Sequence, residues 1–323
     1  GMLWGQTVRS PHAHARIVGI DVSEALRMPG VHAVLTHEDV PGAKTYGLEF
    51  PDQPVLAIDR VRYFGEAVAI VAAEEPEQAR RAAAAVRVEY EPLEPVTDAE
   101  RATDLEPLHP ERPTMGHGYR DDPRPNVVRS LVIRRGDPDA EADVTVEGVY
   151  EVGQQDQAFL GPESGIAIPD GEGGVDIHVA TQWLHVDRDH AAMLALRTGR
   201  PVKIVYDREE SFVGHIHRHP ARIRAEHRAT RDGRLVAVRM HILVDGGAYA
   251  SSSTAVISNA CSFAVGPYAV ENVEIEGLAV YTNNPPCGAM RGFGAVQTCF
   301  AAEAQMDKLA AALDIDPVEL RLL

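Results

Sequence analysis

The sequence predicts an α+β chain of two domains, over residues 1–105 and 127–323, joined by a linker over 106–126. Three observations predict it. Strand and helix periods alternate through the first hundred residues, prolines and charges then replace them, and longer alternating strands followed by an amphipathic helix resume afterwards.

ARIVGIDVSEALRMPGVHAVLT reads as strand, helix, strand, with Asp21 and Ser23 able to cap the helix and Pro29–Gly30 to end it. GEAVAIVAAEEPEQARRAAAAVRVEYEPL repeats that order: a strand through Val68 to Val71, a helix opened by Pro76, and a strand alternating Val86, Val88 and Tyr90. Two copies of one simple unit imply a small layered domain rather than a solenoid. The stretch LEPLHPERPTMGHGYRDDPRP carries Pro107, Pro110, Pro113, Pro123 and Pro125 among charges and glycines, a composition that stays extended. Beyond it, VTVEGVYEV, VDIHVATQWL and VKIVYD read as strands, and Asp232–Gly233 between two alternating runs predicts a hairpin. Gln297–Leu313 is helical by period, with Phe300, Met306, Leu309 and Leu313 on the expected buried face. Asp316–Pro317 opens one more helix, and a chain stopping within its first turns is expected to be part of a longer protein.

Composition narrows the partners. At 323 residues and 45% hydrophobic, the chain can build ordinary cores, while a net charge of −17 disfavours nucleic acid and anionic membranes. No apolar run approaches the roughly eighteen residues that span a bilayer. The start GMLWGQTVRS has neither the basic nor the apolar region of an export signal, so a cytoplasmic location is expected. Cys261, Cys287 and Cys299 form no C-x-x-C pair and supply neither a disulfide framework nor a zinc or iron–sulfur ligand set.

Three stretches could carry chemistry. NNPPCGAMRGFG stiffens the backbone with Pro285 and Pro286, removes side chains at Gly288, Gly292 and Gly294, and presents Arg291 with its five fixed donors. A tight turn with a solvated arginine is the plain alternative. In VGQQDQAFLGPESGIAIP, Gln154, Gln155 and Gln157 hold amides at a strand end, where they would meet a polar ligand atom or bridge loop backbone. In GHIHRHP, His215, His217 and His219 share one face if the segment is extended. They would hold a metal or simply sit at a sheet edge, and no fourth ligand is in place. DREES, Asp207 to Ser211, reads as a helix cap. Gly292-x-Gly294 lacks the third glycine of a dinucleotide fingerprint, and Ser164 directly precedes Gly165, so G-x-S-x-G is not matched either.

Taken together, GQQDQAFLGPESGIAIP and, more than a hundred residues later, NNPPCGAMRGFGAVQ resemble the large molybdenum-cofactor subunit of the xanthine dehydrogenase and aldehyde oxidase family. The bacterial xanthine dehydrogenase subunits, in which this subunit is a separate chain, look nearest. WGQTVRSPHAHARI and YFGEAVAIVAA are similar to that family's N-terminal hammerhead domain. The resemblance implies an α+β hammerhead domain followed by the first, incomplete half of a molybdopterin-binding domain. It implies a molybdenum–molybdopterin enzyme that hydroxylates an electron-poor carbon of a small heteroaromatic or aldehyde substrate with oxygen from water. Electrons would pass to iron–sulfur clusters and FAD on separate subunits of an oligomer. A purine such as hypoxanthine or xanthine is the expected substrate. An aldehyde or nicotinate is the alternative, and a cofactor-free scaffold or interaction module is the reading from another class.

Residue by residue, the resemblance sets Gln155 beside the apical oxo ligand and Arg291, Gly292 and Phe293 on the family's R-G-F. Gln155 and Arg291 would then lie near molybdenum, Phe293 would stack on the substrate, and the glycines would let the main chain approach the metal. Asn259 stands where animal xanthine oxidases carry a substrate-orienting arginine. The sequence departs from the family between Trp183–Asp189 and His190–Gly199, where a segment ending in F-G-G-[RK]-E is missing. The family's base glutamate belongs to the second half of the cofactor domain, so no catalytic residue is named and the isolated chain is expected to be inactive.

Overall fold

The computed structural model describes residues 1–110, 122–158, 160–161, 163–180 and 187–323. The centre of the expected linker, and Trp183 at the start of the departure from the family, lie outside the described residues. The described chain forms two compact units: Gly1–Pro95 with Ala158–His215 and Asn283–Pro285, and Val96–Gln157 with Ile216–Thr282 and Pro286–Leu323.

The first unit is built on a six-stranded sheet in the order Val175–Val179, Ser164–Pro169, Val202–Val205, Leu3–Arg9, Ala67–Ala73, Val31–Leu35. An unbroken apolar run such as AVAIVAA requires cover on both faces, and all seven of its residues are buried. Alternate side chains divide between two cores. Ile70 and Ala72 join Leu194 of the helix Asp187–Thr198, whereas Ala69 and Val71 join Ala82 of the helix Pro76–Ala85. Each fully buried Ile or Leu contributes roughly 1.5–3 kcal/mol.

The two expected strand–helix–strand units interlock rather than stand side by side. Ala15–Asp21 pairs antiparallel with Arg87–Pro92 in a three-stranded sheet, and Val31–Leu35 pairs antiparallel with Ala67–Ala73 in the six-stranded one. Pro76 opens its helix as expected. The first helix is a single turn, Ser23–Leu26, with Val22 at the N-cap; Asp21 Oδ1 instead accepts from Ser23 N at 2.9 Å.

The second unit is a five-stranded sheet in the order Val144–Val152, Ala221–Ala229, Leu235–Asp245, Asn272–Val280, Val127–Arg135. The hairpin at Asp232–Gly233 forms, with Gly233 in the left-handed region at φ +92. Leu235–Asp245 and Asn272–Val280 run parallel, and the helix Ser253–Ser262 lies in the crossover between them.

The helix Ala295–Leu313 buries Met306 and Leu309 against Ala229, as expected, and Leu313 partly. Phe300 does not follow: it is 52% exposed, and its ring meets the edge of Tyr150 at 5.8 Å. The buried face runs instead through Thr298, Ala301, Ala302, Gln305, Met306 and Leu309. Small Ala301 and Ala302 bring this row close to the sheet, which turns the neighbouring Phe300 outward. The buried amide of Gln305 is fully used, accepting from Tyr150 OH at 2.8 Å and donating to Val146 O at 3.1 Å and Ala225 O at 2.8 Å.

Candidate functional site

Residues far apart in the sequence meet in the second unit around a short extended segment, Ile216 to Pro220. Gln155 and Arg218 form an antiparallel bridge on one side of it, and His217 and Cys287 a parallel bridge on the other. Arg218 N donates to Gln155 O at 2.9 Å, and Gly288 N donates to His217 O at 2.8 Å.

Arg218 ties the expected site residues together. Its Nε donates to Gln155 Oε1 at 2.8 Å, and its Nη2 donates to the Arg291 carbonyl at 3.1 Å. The side chain is 6% exposed, its Nη1 is buried without an acceptor, and it forms no ion pair among the described residues. Burial pushes the guanidinium pKa down. The donor to Gln155 fixes that amide, because a flip would set Nε2 against Nε, donor to donor. Gln155 Nε2 therefore faces away from Arg218 and is left as a donor. Its neighbours are spent elsewhere: Gln157 Nε2 donates to Ile216 O at 3.1 Å, and Gln154 Nε2 lies 3.8 Å from Cys287 Sγ.

The loop glycines are explained by the chain's own packing. A side chain on Gly288 would collide with Ile216 Cδ1, and one on Gly294, at φ +84, with the Val256 carbonyl and Ala260 N of the helix Ser253–Ser262. Gly292, at φ +74, would meet Val296. Close approach of the chain's own atoms, side chains at Gly288 and Gly292 and helix backbone at Gly294, is thus the cause that the geometry supplies. Asn259 stands on the same helix, and its Nδ2 donates to the Phe293 carbonyl at 3.3 Å, so it braces the loop. Phe293 is half-buried, and Arg291 and Gly292 are exposed.

The histidines are held separately. Asp207 caps the helix Arg208–Gly214 through Glu210 N at 2.8 Å, and His215 ends that helix, 3.2 Å from the Glu163 carboxylate. His217 Nε2 lies 3.5 Å from Asp156, and buried His219 shares a 2.8 Å hydrogen bond with Ser253 Oγ. Burial pushes His219 down to about 3, so it is neutral at physiological pH. No cluster of three metal-ligating side chains occurs among the described residues. Burial also raises the Cys287 thiol well above its usual range, which makes it inert rather than nucleophilic.

Reading the sequence missed Arg218, although a lone arginine between Ile216 and His219 in a segment destined for burial was a signal. Its partners lie 63 and 73 positions away, beyond any local period.

Among the described residues, Arg218 Nη1 is thus buried without an acceptor, and exposed Gln155 and Arg291 offer further donors. Such a set suits a cofactor rich in oxygen acceptors. Residues 119–193 and 188–323 match the family model described as a molybdopterin cofactor-binding domain. Residues 1–94 match the aldehyde oxidase and xanthine dehydrogenase a/b hammerhead domain. The chain therefore belongs to the aldehyde oxidase and xanthine dehydrogenase family of molybdopterin enzymes, with the hammerhead and cofactor domains that the motifs implied. The two cofactor-domain matches meet at residues 188–193, beside the junction where the F-G-G-[RK]-E segment is missing.

Three relatives mark its surroundings. The chain is 37% identical to a probable xanthine dehydrogenase subunit of Bacillus subtilis, over 99% of its own length and 47% of that protein. It is also 37% identical to the nicotinate dehydrogenase large molybdopterin subunit of Eubacterium barkeri, over 100% of its own length and 82% of that subunit. Among solved structures, the aldehyde oxidoreductase from Desulfovibrio gigas superposes with a TM-score of 0.89 at 31% identity, over 99% of this chain and 39% of that one. The chain thus spans less than half of two of these relatives and most of the third. No helix among the described residues is long and apolar enough to cross a membrane.

Proposed function

We propose that the chain is the N-terminal part of the large subunit of a molybdenum hydroxylase that oxidises a purine such as hypoxanthine or xanthine. Water supplies the oxygen, and iron–sulfur clusters and FAD on separate subunits of a cytoplasmic oligomer take the electrons. The observation that carries this reading is that one buried arginine, Arg218, grips both Gln155 Oε1 and the Arg291 carbonyl, the two positions that the family resemblance assigns to the molybdenum site.

When bound, the molybdenum cofactor supplies the Lewis acid and the two-electron acceptor. The chain's own residues bind and orient. Gln155 Nε2, fixed outward, donates to an oxygen acceptor of the cofactor. Arg291 adds a charged, forked donor. The Phe293 ring offers a face to a flat heteroaromatic substrate. Asn259 holds that ring through the Phe293 carbonyl, 3.3 Å away.

Nicotinate is the second reading for the substrate. The Eubacterium nicotinate dehydrogenase subunit is as similar, at 37% identity, as the Bacillus xanthine dehydrogenase subunit. Co-expression of the complete subunit with its neighbours, metal analysis, and assays on hypoxanthine, xanthine, nicotinate and an aromatic aldehyde test the proposal. Near-stoichiometric molybdenum with a purine turned over at least about tenfold faster than the others is expected. Faster turnover of nicotinate or the aldehyde would move the substrate, and a complex that binds no molybdenum would leave a scaffold.

A further inference from the structure

Arg218 carries a buried charge that its described surroundings leave unbalanced. Half-buried Arg9 makes the contrast in charge: its Nε pairs with Glu210 at 3.3 Å and its Nη1 donates to Gly65 O at 3.0 Å, although its Nη2, like Arg218 Nη1, is buried without an acceptor among the described residues. Arg218 is 6% exposed, yet its two hydrogen bonds go to neutral acceptors, the Gln155 amide and the Arg291 carbonyl. Its third donor group, Nη1, is buried and has none among the described residues. A guanidinium does not escape by losing its proton at physiological pH. Such a charge is retained where something outside the fold balances it, because an uncompensated buried ion is strongly destabilising.

Gln155 fixes the chemistry of the missing partner. Arg218 Nε occupies Gln155 Oε1, so Gln155 Nε2 is held as a donor directed away from the guanidinium. A cation and an oriented neutral donor on one bridge select an acceptor with negative charge and more than one oxygen. We propose that Arg218 and Gln155 form an oxyanion-recognising pair, in which Arg218 positions the amide and supplies the charge that an anionic oxygen of the bound group balances. The pair rests on the reading of Gln155 as a cofactor contact. Arg218 is its positioning residue, acting through Gln155 Oε1 and through the charge it places behind the amide.

Thermal melting of the purified chain tests the pair. Sodium molybdate and inorganic phosphate are titrated separately, each against sodium chloride at equal ionic strength. The wild type is expected to show a saturable rise in Tm with at least one oxyanion. A rise confined to molybdate assigns a metal-side oxygen, and an equal rise with phosphate assigns a phosphate group. Gln155→Glu sets a carboxylate against Arg218 Nε and so supplies the counter-charge internally. It should raise Tm without added anion and abolish the response. Arg218→Lys keeps the charge but loses the fork, so the midpoint concentration should rise at least about tenfold. Arg218→Met should abolish the response, and because Gln155→Glu tests the same pair, the outcome does not depend on how well the methionine variant folds. No saturable rise in the wild type, or an undiminished one in Gln155→Glu, overturns the proposal. The assignment of the cofactor fails separately, through a co-expressed complex that lacks molybdenum while the chain alone still answers to the oxyanion.

Discussion

The strand Ala67–Ala73 and the tripeptide His217, Arg218, His219 are both buried, but their burial leaves different needs. Every side chain of the strand is apolar, and its backbone is paired on both edges, with Leu3–Arg9 and with Val31–Leu35. Nothing there awaits a partner. The tripeptide buries two imidazoles and a guanidinium, and Arg218 keeps a donor without an acceptor among the described residues. Apolar burial is complete once water has left, whereas polar burial stays incomplete until each donor is answered. A region of the second kind is therefore stabilised by what it binds.

The largest effect should come from giving the strand the tripeptide's character. Ile70→Asp places a carboxylate at a position with no exposure, inside the core that it shares with Leu194, and should cost about 4 kcal/mol or more in urea unfolding. A loss below about 1 kcal/mol would show that the strand is not sealed.

Acid sharpens the comparison on the polar side. Burial holds His190 and His227 down to about 4 and His219 to about 3. Unfolded histidine takes a proton near pH 6.5, and these three cannot do so until far lower. Their stabilising contribution is whole above about pH 6.5 and is lost as pH falls toward 4. The loss is on the order of 2 kcal/mol for each histidine between pH 7 and 5. Melting temperatures across that range measure it, and His227→Gln should flatten the slope. An unchanged slope would remove His227 from the account.

Gly294→Ala tests whether the loop is fixed by internal packing. Its φ of +84 and the collision with the Val256 carbonyl should cost about 1–3 kcal/mol, read as a lower midpoint of chemical denaturation. The smallest effect on folding should be that of Arg291→Lys, within about 0.5 kcal/mol because the side chain is exposed. In the complete enzyme the same change should lower turnover about tenfold, roughly 1.4 kcal/mol, since lysine lacks the planar fork. Unchanged turnover with full metal content would return Arg291 to a surface role.

What the sequence disclosed follows the same divide. Strands with a plain period, such as AVAIVAA and the hairpin about Asp232–Gly233, were legible because local pattern and final burial agree. The face of Ala295–Leu313 was only half legible. Period alone favoured Phe300, whereas packing chose the small Ala301 and Ala302. Motif resemblance drew attention to Gln155 and the R-G-F loop. It was silent on Arg218, whose importance lies in bonds across 63 and 73 residues.

The strand Leu3–Arg9 pairs in parallel with Val202–Val205, about two hundred positions along the chain. A ribosome adds about 5–20 residues each second, so the first strand waits roughly 10–40 s for this neighbour to be made. During that interval one edge of the nascent sheet is open to any passing strand. Newly made protein is thus most vulnerable to misassociation before residue 202 leaves the exit tunnel, and slowing translation upstream of that point should lower soluble yield without altering the finished molecule.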